Sequence, residues 1–337
     1  MTKVVGISFI NFKGKIIDSH AHVGRHDGGC YTKRDLDVFV KSELPNKDIV
    51  EKMLVSDLDV LHSLKGEYEG NKAMLEAFKA SREYEFFASC NPKDGDVKNI
   101  KRLFKDYPNK FIGLKFHSDI QQLDLSNEKY EPYMNFAAKN NTPCLFHSQV
   151  CVNSDGTINI NKKHISDPEY IYNLAKKYPK TPCVMARMGG SFNEAHDKAI
   201  DILVKSVENG DANLYADISW VDIDAGNKEH ILKAIKRLKG IGNPAWHYGD
   251  QSYRLMFGTD SPLARFKNSK DNNAIQKYTD FAEDIKQAVK TDMDLSKDAD
   301  KIIEDLFYNN AKKLYLSGVQ KKNYFPKVIF LSALLIS

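Results

Sequence analysis

The sequence predicts an eightfold parallel β/α (TIM) barrel, and three observations carry that expectation. Eight β-rich runs are each followed by a helix or a helical pattern, the signature of successive βαβ units. Eight such units in 337 residues favour a closed barrel over an open doubly wound sheet. No Gly-rich phosphate fingerprint follows the first run, which counts against a dinucleotide-binding fold.

The elements come in order. "KIIDSHAHV" (15–23) reads as the first strand. The spacing over about 48–57 predicts a helix, and the short apolar run "VLHSL" (60–64) a second strand. "NKAMLEAFKASRE" (71–83) has helical spacing in Met74, Leu75 and Phe78. "YEFFASCNP" (84–92) is a strand ended by Asn-Pro, and "VKNIKRLFKDY" (97–107) an amphipathic helix. "FIGLKFHS" (111–118) and "TPCLFHSQ" (142–149) are strands separated by a helix over 128–141. "DPEYIYNLAKKYP" (167–179) starts a helix at Asp-Pro. "TPCVMARMGG" (181–190), "NLYADISW" (213–220) and "YRLMFGTDSP" (253–262) complete the strands. Helices are expected at about 194–209, at 228–240 closed by Gly240, and over most of 272–316.

No Pro/Gly/Ser-rich linker divides the chain, so residues 1–316 read as one barrel and 317–337 as an apolar tail. The tail ends in "VIFLSALLIS", about half the length a membrane span needs. It is expected to form a final strand or helix that covers the fold. The loops at 24–47 and 149–166 are longer than usual and are candidate lids or pocket walls. Basic and acidic residues number 49 and 45, a mixed charge of +4 that argues against a nucleic-acid partner. The five cysteines include no CxxC pair, which suits free thiols in a reducing compartment. The opening residues show no secretory signal, so a cytoplasmic protein is expected.

Polar residues recur where such a barrel places its chemistry, at the C-terminal ends of strands. His20 and His22, two apart on the first strand, point to one side. Lys115 and His117 repeat that spacing on the fourth; His147 ends the fifth, Arg187 the sixth and Asp260 the eighth. Ionisable groups after buried apolar runs are costly unless paired or metal-bound. His and carboxylate suit a divalent transition metal, with zinc the first expectation. Such an ion lowers the pKa of bound water from about 15.7 toward about 7, and a carboxylate can take the proton. Singly, each signal has a plainer explanation. A strand-end His is often a hydrogen-bonded rim residue, and Gly-Thr-Asp can be a turn and helix cap. Together they are hard to explain as packing. His62, His164, His196, His230 and His247 read as ordinary surface or core residues.

The motifs "IIDSHAHVG" (16–24), "FIGLKFH" (111–117), "PCLFHS" (143–148), "VMARMGGS" (184–191), "LMFGTDSP" (255–262) and "LFYNNAKKLY" (306–315) occur in an order that resembles the amidohydrolase superfamily. Within it, the chain looks like the amidohydrolase-related group that also contains aminocarboxymuconate-semialdehyde and resorcylate decarboxylases. The resemblance implies one divalent metal ion, usually zinc, held by His20, His22, His147 and Asp260. Asp260 would also handle the proton of the bound water. A departure falls on the sixth strand, where the group often reads His-x-Gly-Gly and this chain reads "ARMGG". Arg187 cannot act as a base near neutral pH, but its fork suits a substrate carboxylate or a developing oxyanion. Lys115 is either a barrel-interior cation or, as in some superfamily branches, a carboxylated bridge between two metals. Lys115, His117 and Arg25, the last on the loop after the first strand, are further substrate-binding candidates. The expected activity is hydrolysis of a small, carboxylate-bearing substrate, with non-oxidative decarboxylation the alternative and a homodimer a possible assembly.

Overall fold

The computed structural model describes residues 14–40, 44–153, 157, 159, 162–190, 193–220, 228–241, 249–262 and 273–317. Residues 1–13 and all of the expected tail except Ser317 lie outside them, as does His247. The chain opens with a hairpin of β1 (Lys15–His26) and β2 (Gly29–Tyr31), followed by α1 (Lys33–Val40). Then come β3 (Ile49–Asp57), α2 (Leu58–Leu61), α3 (Glu67–Phe78), β4 (Tyr84–Ser89), α4 (Val97–Asp106), β5 (Phe111–Phe116), α5 (Ser118–Gln121) and α6 (Glu131–Asn140). The second half runs β6 (Cys144–Phe146), α7 (Pro168–Lys177), β7 (Cys183–Met185), α8 (Asn193–Asn209), β8 (Leu214–Asp217), α9 (Lys228–Lys239), β9 (Leu255–Met256), α10 (Asn273–Thr291) and α11 (Ala299–Glu304). The strands pair in the order β2-β1-β3-β4-β5-β6-β7-β8-β9, parallel throughout except for the hairpin.

The sheet closes on itself. Ser19 N–H donates to the Phe257 carbonyl (3.1 Å), Asp260 N–H to that of His20 (2.8 Å) and His22 N–H to that of Ser261 (2.8 Å). A parallel bridge joins Ala21 to Ser261. The expected barrel is therefore present, with eight parallel strands and the β2 hairpin as an appendage at the rim.

One expected unit is exchanged. Residues 48–57, expected as a helix, form β3, and the expected strand at 60–64 starts inside α2. Val50, Met53, Leu54 and Val55 are all buried, so β3 is covered on both faces and shows no alternation. Glu51 and Lys52 interrupt the apolar run and imitate helical spacing. The Asp57 side chain then accepts from Asp59 N–H and starts α2. The Asp-Pro start of α7 is as expected, with the Asp167 carboxylate accepting from Glu169 N–H.

Inside the barrel, each strand contributes an apolar residue to one layer: Ile17, Leu54, Phe87, Ile112, Leu145, Val184, Tyr215 and Met256. The C-terminal π-helical turns at Asp305–Asn309 and Lys312–Leu316, with the residues between them, pack against the layer through Ala311 and Tyr315. Tyr315 meets Phe87 edge to face at 5.2 Å. A larger shell of buried side chains, including Met53, Phe86, Leu114, Phe116, Phe257 and Tyr278, packs the strands against the helices.

Two extra residues decide what faces the barrel above that layer. β1 uses three steps, Asp18 to Ala21, where β3 uses two, Met53 to Val55. β5 uses two, Phe111 to Gly113, where β4 uses one. Each bulge reverses the inward and outward alternation. Ile17 faces inward before the first bulge, and His20 and His22 face inward after it. The second bulge turns Lys115 inward in the same way. Buried Asp18 holds the first bulge. Its Oδ1 accepts from the backbone of His20 and Thr259, and its Oδ2 accepts from the hydroxyls of Thr259 and Tyr278.

Candidate metal centre

At the C-terminal rim, His20 and His22 turn their Nε2 atoms toward each other, 3.0 Å apart. Asp260 Oδ1 lies 2.9 Å from the His22 nitrogen and 3.5 Å from that of His20. All three residues are buried, and among the described residues they form the one His/Cys/Asp/Glu group with the closeness of a metal site, their donor atoms within 4.8 Å of one another. A tetrahedral ion with bonds of about 2.1 Å sets its ligand atoms about 3.4 Å apart, so the three edges fit one small cation. Each ring is held from behind. His22 Nδ1 meets the Ser56 hydroxyl at 2.8 Å, and His20 Nδ1 meets the Ser219 hydroxyl at 2.9 Å and Asp217 Oδ2 at 3.2 Å.

The electrostatics follow from burial. Desolvation drives His22 down to about 3, although Asp260 beside it works the other way. Burial alone would raise Asp260, but its interactions with His20, the hydrogen bond from His22 and the Arg187 cation overcome it and hold the carboxyl well below the usual range. Lys115, fully buried with Nζ 2.8 Å from His20 Nε2, is pushed down to about 8 by desolvation. Burial also lowers Arg187, whose Nε stands 3.9 Å from Asp260 Oδ2. The Arg187 guanidinium lies over the Trp220 ring, 4.0 Å from its centre.

The rim is conformationally strained. Arg187, Met188, Trp220 and Asp260 have φ of 64°, 41°, 60° and 61°. These left-handed residues without glycine's freedom cost roughly 1 kcal/mol each, and such strain gathers at functional sites. It turns the chain sharply after three successive strands.

Of the residues expected at the site, His20, His22, Asp260, Lys115 and Arg187 come together. His147 is not in the compact donor group. Its ring stacks on His117 with centres 3.7 Å apart, and its buried Nε2 has no hydrogen-bond partner among the described residues. His147 nonetheless lies near enough to Asp260 and Lys115 to feel their charge, and burial lowers it well below the ordinary histidine value. His117 accepts from Ile120 N–H through Nδ1 and caps α5, which is the plainer role of a strand-end histidine. Arg25 is tied to Asp59 through Nε at 3.0 Å and its side chain is half exposed.

Asp217 and Trp220 were not among the expected site residues. Asp217 ends β8 after a buried apolar run, the same signal that selects Asp260. Trp220 carried no such signal. Among the histidines expected to be ordinary, His196 is buried with Nδ1 on the Met188 carbonyl, His62 pairs with His26 at 3.0 Å and His230 with Asp197.

A closed β/α barrel with a His-x-His pair on its first strand and an aspartate on its last defines a metal-binding enzyme scaffold. The amidohydrolase profile matches residues 17–316, and the chain belongs to the amidohydrolase family. No curated protein matches it. Solved structures share the fold at low identity. A protein from Pseudomonas putida described as a 2-pyrone-4,6-dicarboxylic acid hydrolase is 14% identical, with a TM-score of 0.60 over 90% of this chain and 98% of that one. An amidohydrolase from Burkholderia multivorans with bound zinc is 12% identical, with a TM-score of 0.57 over 90% and 99%. A 5-carboxyvanillate decarboxylase from Novosphingobium aromaticivorans, in complex with manganese and a nitrobenzoic acid, is 13% identical, with a TM-score of 0.52 over 90% and 96%.

Proposed function

We propose that this enzyme is a metal-dependent hydrolase that adds water across a C–N or C–O bond of a small carboxylate-bearing substrate. The observation that carries the reading is the convergence of His20 Nε2, His22 Nε2 and Asp260 Oδ1 beside the Arg187 guanidinium. His20, His22 and Asp260 would hold one divalent cation, and His147, whose buried Nε2 has no hydrogen-bond partner among the described residues, would complete the set. Zinc fits two imidazoles and a carboxylate well, and manganese is the second choice. When bound, the cation supplies Lewis acidity and acidifies water.

The protein's own groups do the rest. Asp260 is ionised at neutral pH and sits where it can accept a proton from water and return it to the leaving group. Arg187, fixed against Trp220, presents a planar fork to a carboxylate or to the oxyanion that develops during attack. Lys115 is a barrel-interior cation that neutralises the surrounding carboxylates. Cys90, Cys144 and Cys183 are buried free thiols, which supports a reducing compartment such as the cytoplasm.

The second reading is non-oxidative decarboxylation, favoured by the same Arg187 fork, which would grip the departing carboxylate. A panel of lactones, amides and aromatic carboxylates, assayed for product and for CO2, separates the two. A hydrolytic product without CO2 is expected; CO2 without a hydrolytic product refutes hydrolysis.

A further inference from the structure

Asp217 is fully buried at the end of β8, between two parts of the site. Its Oδ1 accepts from the backbone N–H of Arg187 (2.9 Å), from that of Ser219 (3.0 Å) and from the Ser219 hydroxyl. Its Oδ2 lies 3.2 Å from His20 Nδ1 without a hydrogen bond to it, so Asp217 reaches that ring by charge and through Ser219. The proton count is decisive. Ser219 has one hydroxyl hydrogen, and the contact with Asp217 Oδ1 uses it. Toward His20 Nδ1, 2.9 Å away, the Ser219 oxygen can therefore only accept. Among the described residues both neighbours of Nδ1 are acceptors, so Nδ1 carries the hydrogen and Nε2 presents its lone pair, which Lys115 Nζ meets at 2.8 Å, on the side shared with His22 and Asp260. His22 differs, because among the described residues its Nδ1 meets the Ser56 hydroxyl alone and no carboxylate stands behind it.

The other oxygen bears on Arg187. That residue sits at φ 64°, in the left-handed region, and Asp217 accepts its N–H. One carboxylate thus reaches both the ligand face and the anion-binding face of the site. We propose that Asp217 is a positioning residue that fixes the His20 tautomer and the Arg187 backbone together, and so couples cation binding to anion binding. The proposal rests on the metal-centre reading above.

The test uses the full chain, manganese as the cation and oxalate as the anion. Mn2+ dissociation constants come from chelator competition, and oxalate binding to the Mn2+-loaded protein comes from calorimetry. Asp217→Asn must place an amide N–H against either His20 Nδ1–H or Arg187 N–H. It is expected to weaken Mn2+ by roughly 10- to 100-fold, the usual loss when a histidine ligand's supporting group is removed. It also weakens oxalate. Ser219→Ala keeps the Arg187 bond, so it weakens Mn2+ by a smaller factor and leaves oxalate unchanged. A merely structural Asp217 would lower the melting temperature and leave both constants alone, which overturns the proposal. Oxalate binding that Asp217→Asn leaves intact overturns the coupling. If Asp217→Asn does not fold, Ser219→Ala decides: Mn2+ affinity equal to wild type overturns the role. Wild-type protein that binds no Mn2+ fails the metal-centre reading and the proposal with it. Wild-type binding matched by the variants fails the proposal alone.

Discussion

Glu67 offers a stability prediction that can be worked from its surroundings. It opens α3 and is almost fully buried, and among the described residues none of its hydrogen bonds comes from a cation. Its Oε1 accepts from Asn91 N–H and the Tyr133 hydroxyl, both at 2.7 Å, and its Oε2 accepts from Asp96 N–H at 3.1 Å. Gly95 makes this approach possible, since a Cβ there would meet Glu67 Cδ at 2.5 Å. Burial raises the carboxyl, and the three donors limit the rise, from an ordinary 4.5 to about 7. Between those values the folded protein keeps a proton that the unfolded chain has released. Stability from this group is therefore full below about pH 4.5, falls as pH rises to about 7, and is level above. The whole effect is about 3 kcal/mol. In Glu67→Gln the ionisation is gone, and one amide hydrogen faces Asp96 N–H, which costs about 1 kcal/mol at every pH. Urea unfolding from pH 4.5 to 8, with chelator present to remove metal effects, should show wild type losing about 3 kcal/mol more than the variant over that range. Parallel curves would refute the argument and mean that the three donors keep Glu67 ionised in the fold.

Three further outcomes are expected. Removing metal with chelator should lower the melting temperature of wild type by about 5–10 °C relative to protein at a hundredfold excess over its dissociation constant, and His22→Ala should not respond; an equal response in both sinks the ligand assignment. Arg187→Lys keeps the charge but loses the fork and the Trp220 contact, so KM for a carboxylate substrate should rise about tenfold; an unchanged KM with lowered kcat would instead place Arg187 on the developing oxyanion. Tyr315→Phe removes a buried hydroxyl that has no partner among the described residues, and should raise stability by about 1 kcal/mol in thermal or urea unfolding. A loss on that substitution would show that the hydroxyl is satisfied by water.

Much of the fold was legible because each β/α unit repeats the same change of period. The unit at 48–64 was not, because β3 is buried on both faces and two charged residues interrupt its run. At the site, the His20–His22 spacing and the strand-end position of Asp260 were enough to bring those residues together. What no spacing rule reveals is the bulge. Counting by twos from Ile17 would send His20 and His22 out of the barrel, and only the extra residue at Asp18–Ala21 turns them in. The left-handed backbone at Arg187, Trp220 and Asp260 was equally hidden, since none of these is a glycine that would announce a positive φ. His147 shows the opposite limit. The strand before it is legible in the sequence, but the ring orientation depends on stacking with His117, a contact between the residues that follow β5 and β6.

The charges gathered at the site constrain what it can hold. The site gathers two cationic side chains, Lys115 and Arg187, and two carboxylates, Asp217 and the donor Asp260. Burial keeps His22, His117 and His147 neutral. With His20 holding its one ring hydrogen on Nδ1, the protein groups alone nearly cancel. A divalent cation leaves this buried site with two uncompensated positive charges, an expensive state in a low dielectric. Deprotonating Lys115, already lowered to about 8, removes one. An anionic substrate or a hydroxide removes the other. The same balance that makes an empty centre tolerable thus makes a loaded one demand an anion. Arg187, the departure from the histidine that the family resemblance led one to expect, stands where that anion would be held.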